Sequence, residues 1–374
     1  MRSATVSFLA SLALAACEAG TPNTVAAPAP SAPQAPPPVA SAAPPAPSAP
    51  AASADAGAEP PRHGEGEMVA FLRREAAAMR SELRAPFAQR FLDATAALPA
   101  VRTRRVFHDR DKSHWYTEAQ AAALSADERA ALGTLEVDEE RWYDADVSSP
   151  LDYARPLDIV SAAGLELGPG ARVLDFGYGS IGHLRMLASL GLDLTGVEVQ
   201  VRLLSLYAEP GDTGSIPGFQ GAPAGRIRLL NGFFPSELVP EVGAGYRLAI
   251  AKNVLKKGYI HPDRPVPERR LIHLRVDDAT FLRSFHKLLA PGGMFLVFNI
   301  CAALTPPDQP LAPMTDCRSP FTREQWKAAG FEVRAFDEKD TDAMRRIYSA
   351  IESDDGQIDL DTFYVLYTLV QRKK

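Results

Sequence analysis

At 374 residues the chain can bury one large core together with a smaller companion, and its formal net charge of −6 leaves no Lys/Arg excess for clamping phosphates, so no nucleic-acid partner is expected. Its three cysteines and seven histidines fall in no CxxC or HxxxH spacing, and no metal site is expected. No internal repeat is visible.

One positive charge at Arg2 precedes an apolar run from Ala4 to Ala16, too short to span a bilayer and ended by Leu14-Ala15-Ala16-Cys17. That pattern reads as an export signal, and its last four residues resemble the lipobox of bacterial lipoproteins. The resemblance implies that 1–17 is a signal segment and that Cys17 is lipidated and anchors the chain to a membrane. The expected address is then the cell envelope, periplasmic or outer-membrane, Glu18 not being the Asp that favours inner-membrane retention. A chance Cys after an ordinary signal, or a misassigned start and a cytoplasmic chain, are the alternatives. Residues 18–62 follow, nearly all Ala, Pro and Ser beyond Thr21, with too few large apolar groups to offset the entropy of ordering. At about 3.1 Å per residue such a tether reaches roughly 130 Å.

Across 63–150 apolar residues recur at helical spacing: Met68, Phe71, Leu72, Met79 and Leu83, then Phe87, Phe91 and Leu92, punctuated by Pro86 and Pro99. Thr117 with Gln120, and Ser125 with Glu128, have capping-box spacing. No strand signal is evident, so this region is expected to be a helical cap.

The pattern changes within 151–374 to short apolar runs separated by helical segments, the alternation of an α/β, mostly parallel, doubly wound sheet. Seven strands are expected: Arg172–Phe176, Leu194–Val199, Ile227–Leu230, Arg247–Ala251, Met294–Ile300, Phe331–Phe336 and Phe363–Val370. Helices are expected to begin near Ser180, Val201, Asp277 and Thr322.

The first of these strands runs into Gly177-Tyr178-Gly179-Ser180-Ile181-Gly182, a turn that brings bare backbone to a ligand and aims free N–H groups at it. Alone it is equally consistent with a dinucleotide site. Asp175 sits two residues before it, where a carboxylate repels phosphate and favours a cation, and Glu198 closes the next strand, where it can accept both hydroxyls of a ribose. The ligand so described is a nucleoside with a positive, phosphate-free tail.

Taken with Leu289-Ala290-Pro291-Gly292-Gly293 late in the sheet, Val173-Leu174-Asp175-Phe176-Gly177-Tyr178-Gly179 and Glu198 resemble the successive motifs of the class I S-adenosylmethionine-dependent methyltransferases, from about Asp152 to the end. The resemblance implies a seven-stranded sheet whose last strand is antiparallel. It implies S-adenosylmethionine as cofactor, held by Asp175 at its amino group, by Gly177, Tyr178, Gly179 and Gly182 along the turn, and by Glu198 with Val199 at the ribose. Asn231 would take the adenine amine through its amide oxygen where the family often has Asp, and Asn253 would present backbone to the methionine tail. Tyr153 and Arg155 are further candidates for the cofactor carboxylate.

On the acceptor side, His261 and Tyr259 are candidate bases, weighed against structural roles; an activated sulfonium needs little beyond alignment. Trp115-Tyr116 and Trp142-Tyr143 either line an acceptor pocket or fill the seam between cap and sheet. Cys301 and Cys317 are either a disulfide, contributing on the order of 3 kcal/mol, or two buried thiols. The expected function is methyl transfer to a small-molecule acceptor by an envelope-tethered enzyme. The alternative is a non-catalytic envelope lipoprotein that binds a small ligand.

Overall fold

The computed structural model describes residues 66–144, 149–302, 316–351 and 363–374; the expected signal segment 1–17 with Cys17, and the tether 18–62, lie outside them. The N-terminal region opens with the helix Glu67–Met79, which buries Val69, Leu72, Ala76 and Met79. The helical pattern then breaks at Ala85, whose extended backbone (ψ 129°) is what a residue before proline prefers, and resumes with Pro86 at the first position of Pro86–Asp93. Asp158 secures the break, its Oδ1 accepting from the backbone N of Arg84 at 2.9 Å and of Ala85 at 2.7 Å.

This region is not purely helical. It contains an antiparallel sheet of β1 (Arg104–His108), β2 (Trp115–Thr117) and β3 (Gly133–Val137), in the order β2-β1-β3. Only Val106 in β1 and Val137 in β3 are fully buried, so the strands lack the apolar alternation that would have announced them. Both capping boxes are present, on the short helices Glu118–Ala122 and Ala126–Ala130. Trp142 and Tyr143 are fully buried, edge to face at 4.7 Å, in the seam between cap and sheet.

The second sheet has eight strands: β4 (Arg172–Phe176), β5 (Asp193–Glu198), β6 (Gly214–Ile216), β7 (Gly225–Asn231), β8 (Tyr246–Lys252), β9 (Leu289–Ala302), β10 (Phe331–Lys339) and β11 (Phe363–Arg372). Their order is β10-β11-β9-β8-β4-β5-β7-β6. Strands β4, β5, β7, β8 and β9 run parallel, while β11 is antiparallel to both β9 and β10. The eighth strand, β6, is a three-residue antiparallel edge on β7 with a single buried side chain, Ile216, too little pattern for the sequence to reveal.

Two apolar clusters cover the two faces of this sheet. One includes Trp142, Leu157, Val173 and Leu194 beneath the cap; the other includes Phe281, Phe285, Phe295 and Trp326, with Phe285 stacked on Phe295 at 4.3 Å. The chain leaves β4 toward β5 and β7, then returns to β8 on β4's other side. That reversal opens a crevice at the carboxyl ends of β4 and β8, the place where doubly wound sheets bind ligands.

Candidate active site

Asp175 is the fourth residue of β4, in register with Gly196 of β5 and Ile250 of β8. The turn beyond it needs glycine at Gly177 and Gly179, whose φ values are +82° and +58°. A Cβ on Gly177 would lie 2.3 Å from Cγ2 of Val254. Gly182 opens the helix Gly182–Ser189, and a Cβ there would lie 3.0 Å from both Tyr143 and Pro150, so it serves the approach of the cap. The Tyr178 ring is buried against Gly196, where a Cβ would come within 2.7 Å of it. Both residues, expected along the cofactor, have packing roles in this arrangement.

Around Asp175 lies a buried polar cluster. Its Oδ2 accepts from the Tyr153 hydroxyl at 2.8 Å and from His183 Nε2 at 2.5 Å, and the Tyr153 and His183 rings stack at 3.6 Å, 5° from parallel. A carboxylate only accepts, so Nε2 of His183 carries the proton and Nδ1 presents a lone pair. Asp152 completes the cluster, accepting from Lys252 Nζ at 3.2 Å and from the Tyr348 hydroxyl at 3.3 Å. The Lys252 ammonium also lies 5.5 Å from the centre of the Tyr153 ring.

Three buried atoms of this cluster and the adjoining turn have no partner: Asp175 Oδ1, His183 Nδ1 and the Ser180 hydroxyl. Burial lowers the His183 pKa from its usual value, outweighing the raising effect of Asp175, and so favours the neutral imidazole. Among the described residues the cluster then sets two carboxylates, Asp152 and Asp175, against one ammonium, Lys252. Asp175 Oδ1 and His183 Nδ1 are both acceptors, and both are closed off from solvent in this arrangement.

Glu198, at the end of β5, accepts through Oε1 from the backbone N of Val199 at 2.7 Å and of Gln200 at 3.3 Å. Burial raises its pKa, and these backbone donors oppose that shift. Asn231 pairs with Glu198 in the β5–β7 register and donates Nδ2 to the Glu198 carbonyl at 2.9 Å, which leaves Oδ1 as its remaining acceptor. Asn253 adopts φ +63°; its N donates to the Phe298 carbonyl and its Oδ1 accepts from Ile300 N at 2.7 Å. That side chain stitches β8 to β9.

The acceptor-side candidates are committed elsewhere. His261 pairs with Asp278 at 3.0 Å, half exposed at the start of the helix Asp278–Leu288. Burial pushes the Tyr259 hydroxyl up to about 12, a poor base at neutral pH. Arg155 is taken by Asp158 at 2.5 Å and Asp340 at 2.7 Å, a structural bridge that does not leave it for a cofactor carboxylate. Cys301 and Cys317 form a disulfide with Cα atoms 5.7 Å apart. Next to it, Lys257 N donates to the Arg318 carbonyl and Gly258 N to the Asp316 carbonyl, so the bridge ties down the loop after β8.

Sequence reasoning singled out Asp175 and Tyr153 but not His183, Lys252 or Asp152. The available signal for His183 was its place in the first turn of the helix that leaves the glycine turn. Among the described residues no group of His, Cys, Asp or Glu has the arrangement of a metal site. A cleft of about 790 Å³ lies at the opposite, amino end of the sheet, lined by Gly170, Asp193, Gly225 and Arg226. The charge imbalance and the orphaned acceptors are at the carboxyl end, so the site is placed there.

No protein-family model and no curated protein matches the chain. Solved structures do. The [4+2]-cyclase SpnF is 16% identical over 60% of this chain and 82% of its own, with a TM-score of 0.36. The cyclopropane synthase MmaA2 from Mycobacterium tuberculosis is 15% identical over 59% and 85%, at 0.34. An S-adenosylmethionine dependent methyltransferase from Mesorhizobium loti is 16% identical over 57% and 96%, at 0.33. With scores this low, the assignment of fold rests on the strand order and registers above.

Proposed function

We propose that the chain is an S-adenosylmethionine-dependent methyltransferase that serves a small-molecule acceptor and is tethered to the cell envelope through a lipid on Cys17. One observation carries the reading: Asp175 at the carboxyl end of β4, ahead of a turn that needs glycine at Gly177 and Gly179, with Glu198 at the end of the neighbouring strand β5. In this reading the positive amino group of the cofactor is drawn to the Asp175 carboxylate. Glu198 accepts the ribose hydroxyls, and Asn231 Oδ1 accepts from the adenine amine. A phosphate-bearing nucleotide would instead meet the carboxylate of Asp175.

When bound, the sulfonium supplies an already activated methyl group. The protein's own part is then to hold the ligand, align it in line with the acceptor and keep water out. Lys252 and Tyr348 fix Asp152, while Tyr153 and His183 fix Asp175, so the orientation of both carboxylates is set before a ligand arrives.

Calorimetric titration of the full chain tests this. S-adenosylmethionine and S-adenosylhomocysteine are expected to bind at micromolar levels and NAD is not. Asp175→Asn, which keeps the shape and removes the charge, should weaken both by roughly 10- to 100-fold, the worth of a hydrogen bond to a charged group. Unchanged affinity in the variant would refute the assignment. A second reading, binding without transfer, is favoured by the commitment of His261 to Asp278 and by the raised Tyr259 hydroxyl. It is distinguished by adenosyl binding with no turnover of methyl-labelled cofactor in any acceptor pool. Cell fractionation tests the address: wild type is expected with membranes, and Cys17→Ser is not.

A further inference from the structure

We infer that the chain has a second ligand site, at the amino end of the main sheet, which takes a small phosphate monoester with an uncharged, largely apolar body. Strand register assembles it. Arg172, Asp193 and Arg226 pair in one row across β4, β5 and β7, and Thr195 pairs with Arg228 two residues further along. Residues two apart on a strand, and partners across strands, share a face, so all five stand on one side of the sheet. Together they line a pocket of about 210 Å³. The connection from β7 to β8 holds only the four-residue helix Val239–Val242, too short to roof this corner, and Arg226 stays exposed.

Three guanidinium groups face one carboxylate here, a local surplus of positive charge on a chain whose net charge is −6. Arg172 is committed. It donates to the carbonyls of Ala244 and Val242 and to the Tyr246 hydroxyl, lies over the Tyr246 ring at 4.4 Å, and keeps Nε 3.7 Å from Asp193, whose charge it balances. Arg228 gives one of its five N–H groups, to the Val242 carbonyl at 3.3 Å. The Arg226 guanidinium, though opposite Asp193 in register, makes no hydrogen bond or ion pair among the described residues. Two forks with most of their donors unfilled therefore stand two residues apart on one strand face. Such forks match the paired oxygens of a phosphate, and two uncompensated charges match one phosphate dianion. Arg228 is already anchored at Val242, which lowers the cost of ordering it around a ligand.

The pocket also has room beside it for the rest of a ligand. It shares Asp193 and Arg226 with the cleft of about 790 Å³, whose walls include Pro169, Leu192 and Pro223 and bare backbone at Gly170 and Gly214. That lining carries no charge beyond the two shared residues, so the body it suits is uncharged. Asp175 and Glu198 lie toward the opposite ends of the same strands, β4 and β5, and line neither cavity. The inference therefore stands apart from the cofactor reading.

The test is calorimetric titration of the full chain with phenyl phosphate, at fixed ionic strength and about pH 8, where a phosphate monoester is a dianion. Inorganic phosphate supplies the head without the body, and phenol the body without the head. Phenyl phosphate is expected to bind more tightly than inorganic phosphate, and phenol not to bind. Arg226→Gln with Arg228→Gln should weaken phenyl phosphate by about tenfold or more, the scale of hydrogen bonds to a charged group. Asp193→Asn, which removes the one negative charge of the pocket, should tighten it. Arg90→Gln with Arg129→Gln, two exposed arginines of the cap, should leave it within about twofold, their charges being screened by salt. Effects of opposite sign from one pocket cannot come from loss of folding. Equal weakening by the two arginine pairs would show attraction to overall charge alone and overturn the inference, as would no binding of phenyl phosphate. Equal affinity for phenyl phosphate and inorganic phosphate would overturn the part assigned to the cleft.

Discussion

Lys256 is the residue whose placement conflicts most with its chemistry. Its side chain is fully buried, and Nζ finds one carbonyl, that of Ile300 at 2.6 Å. Burial, with Lys252 nearby, carries its pKa from 10.5 down to about 7. The unfolded chain therefore holds this proton more readily than the folded one between those values, and stability rises with pH across that window. At pH 7 the penalty is on the order of 4 kcal/mol. Lys256→Met keeps the volume and removes the charge, at the loss of a hydrogen bond to Ile300 worth about 1–2 kcal/mol. The variant is expected to be more stable than wild type by roughly 2 kcal/mol at pH 7 in urea denaturation, with the advantage gone by pH 10. Equal stability at both pH values would show that the lysine is not desolvated as described. Nothing in the spacing of Asn253-Val254-Leu255-Lys256 announced this burial. Asp175 and Glu198 were legible because strand ends and a glycine turn fix where such residues stand. His183 was not, because a histidine in the first turn of a helix has the same local sequence whether it packs or binds.

Elements were legible where their patterning repeated. All seven expected strands of the main sheet are present, each boundary shifted by a few residues at most apart from the longer β9, and the helices begin at Gly182, Arg202, Asp278 and Arg323. Those strands are apolar on successive residues because both faces are covered. The strands of the N-terminal region each bury one side chain or none, and their pairing depends on partners distant in sequence. The helix Thr341–Ile351 was missed although Met344, Ile347 and Tyr348 lie on one face, a repeat too short to stand out. The break between the first two helices depends on a residue more than 70 positions away: Asp158 caps the N–H groups of Arg84 and Ala85 and also holds Arg155. Asp158→Ala would orphan two backbone donors and leave Arg155 with Asp340 alone. It is expected to destabilise the chain by about 3–5 kcal/mol in denaturant unfolding. A loss below about 1 kcal/mol would show that this joint is not what holds the cap to the helix Ala154–Ala162.

For the molecule as a whole, cap and sheet share one apolar cluster, and side chains from both reach the seam above the crevice. Tyr153 and Asp152 enter the site from the first turn after the cap, and Tyr348 enters from a helix near the other end of the chain. The cluster is therefore assembled only when the whole sheet has closed. The disulfide acts at the same scale. It joins the end of β9 to the segment that pairs with Lys257 and Gly258, and so holds the loop after β8. Reduction is expected to leave the sheet folded and to raise hydrogen exchange chiefly at Lys257, Gly258 and their neighbours; uniform protection before and after reduction would contradict that link.

Such a bond forms only where the surroundings oxidise thiols, so the covalent structure of this loop follows the redox poise around it. A reduced copy and an oxidised copy share every residue but differ in how the loop after β8 is held. The second has the loop fastened. Oxidised and reduced chains are, at this point of the molecule, two distinct chemical species.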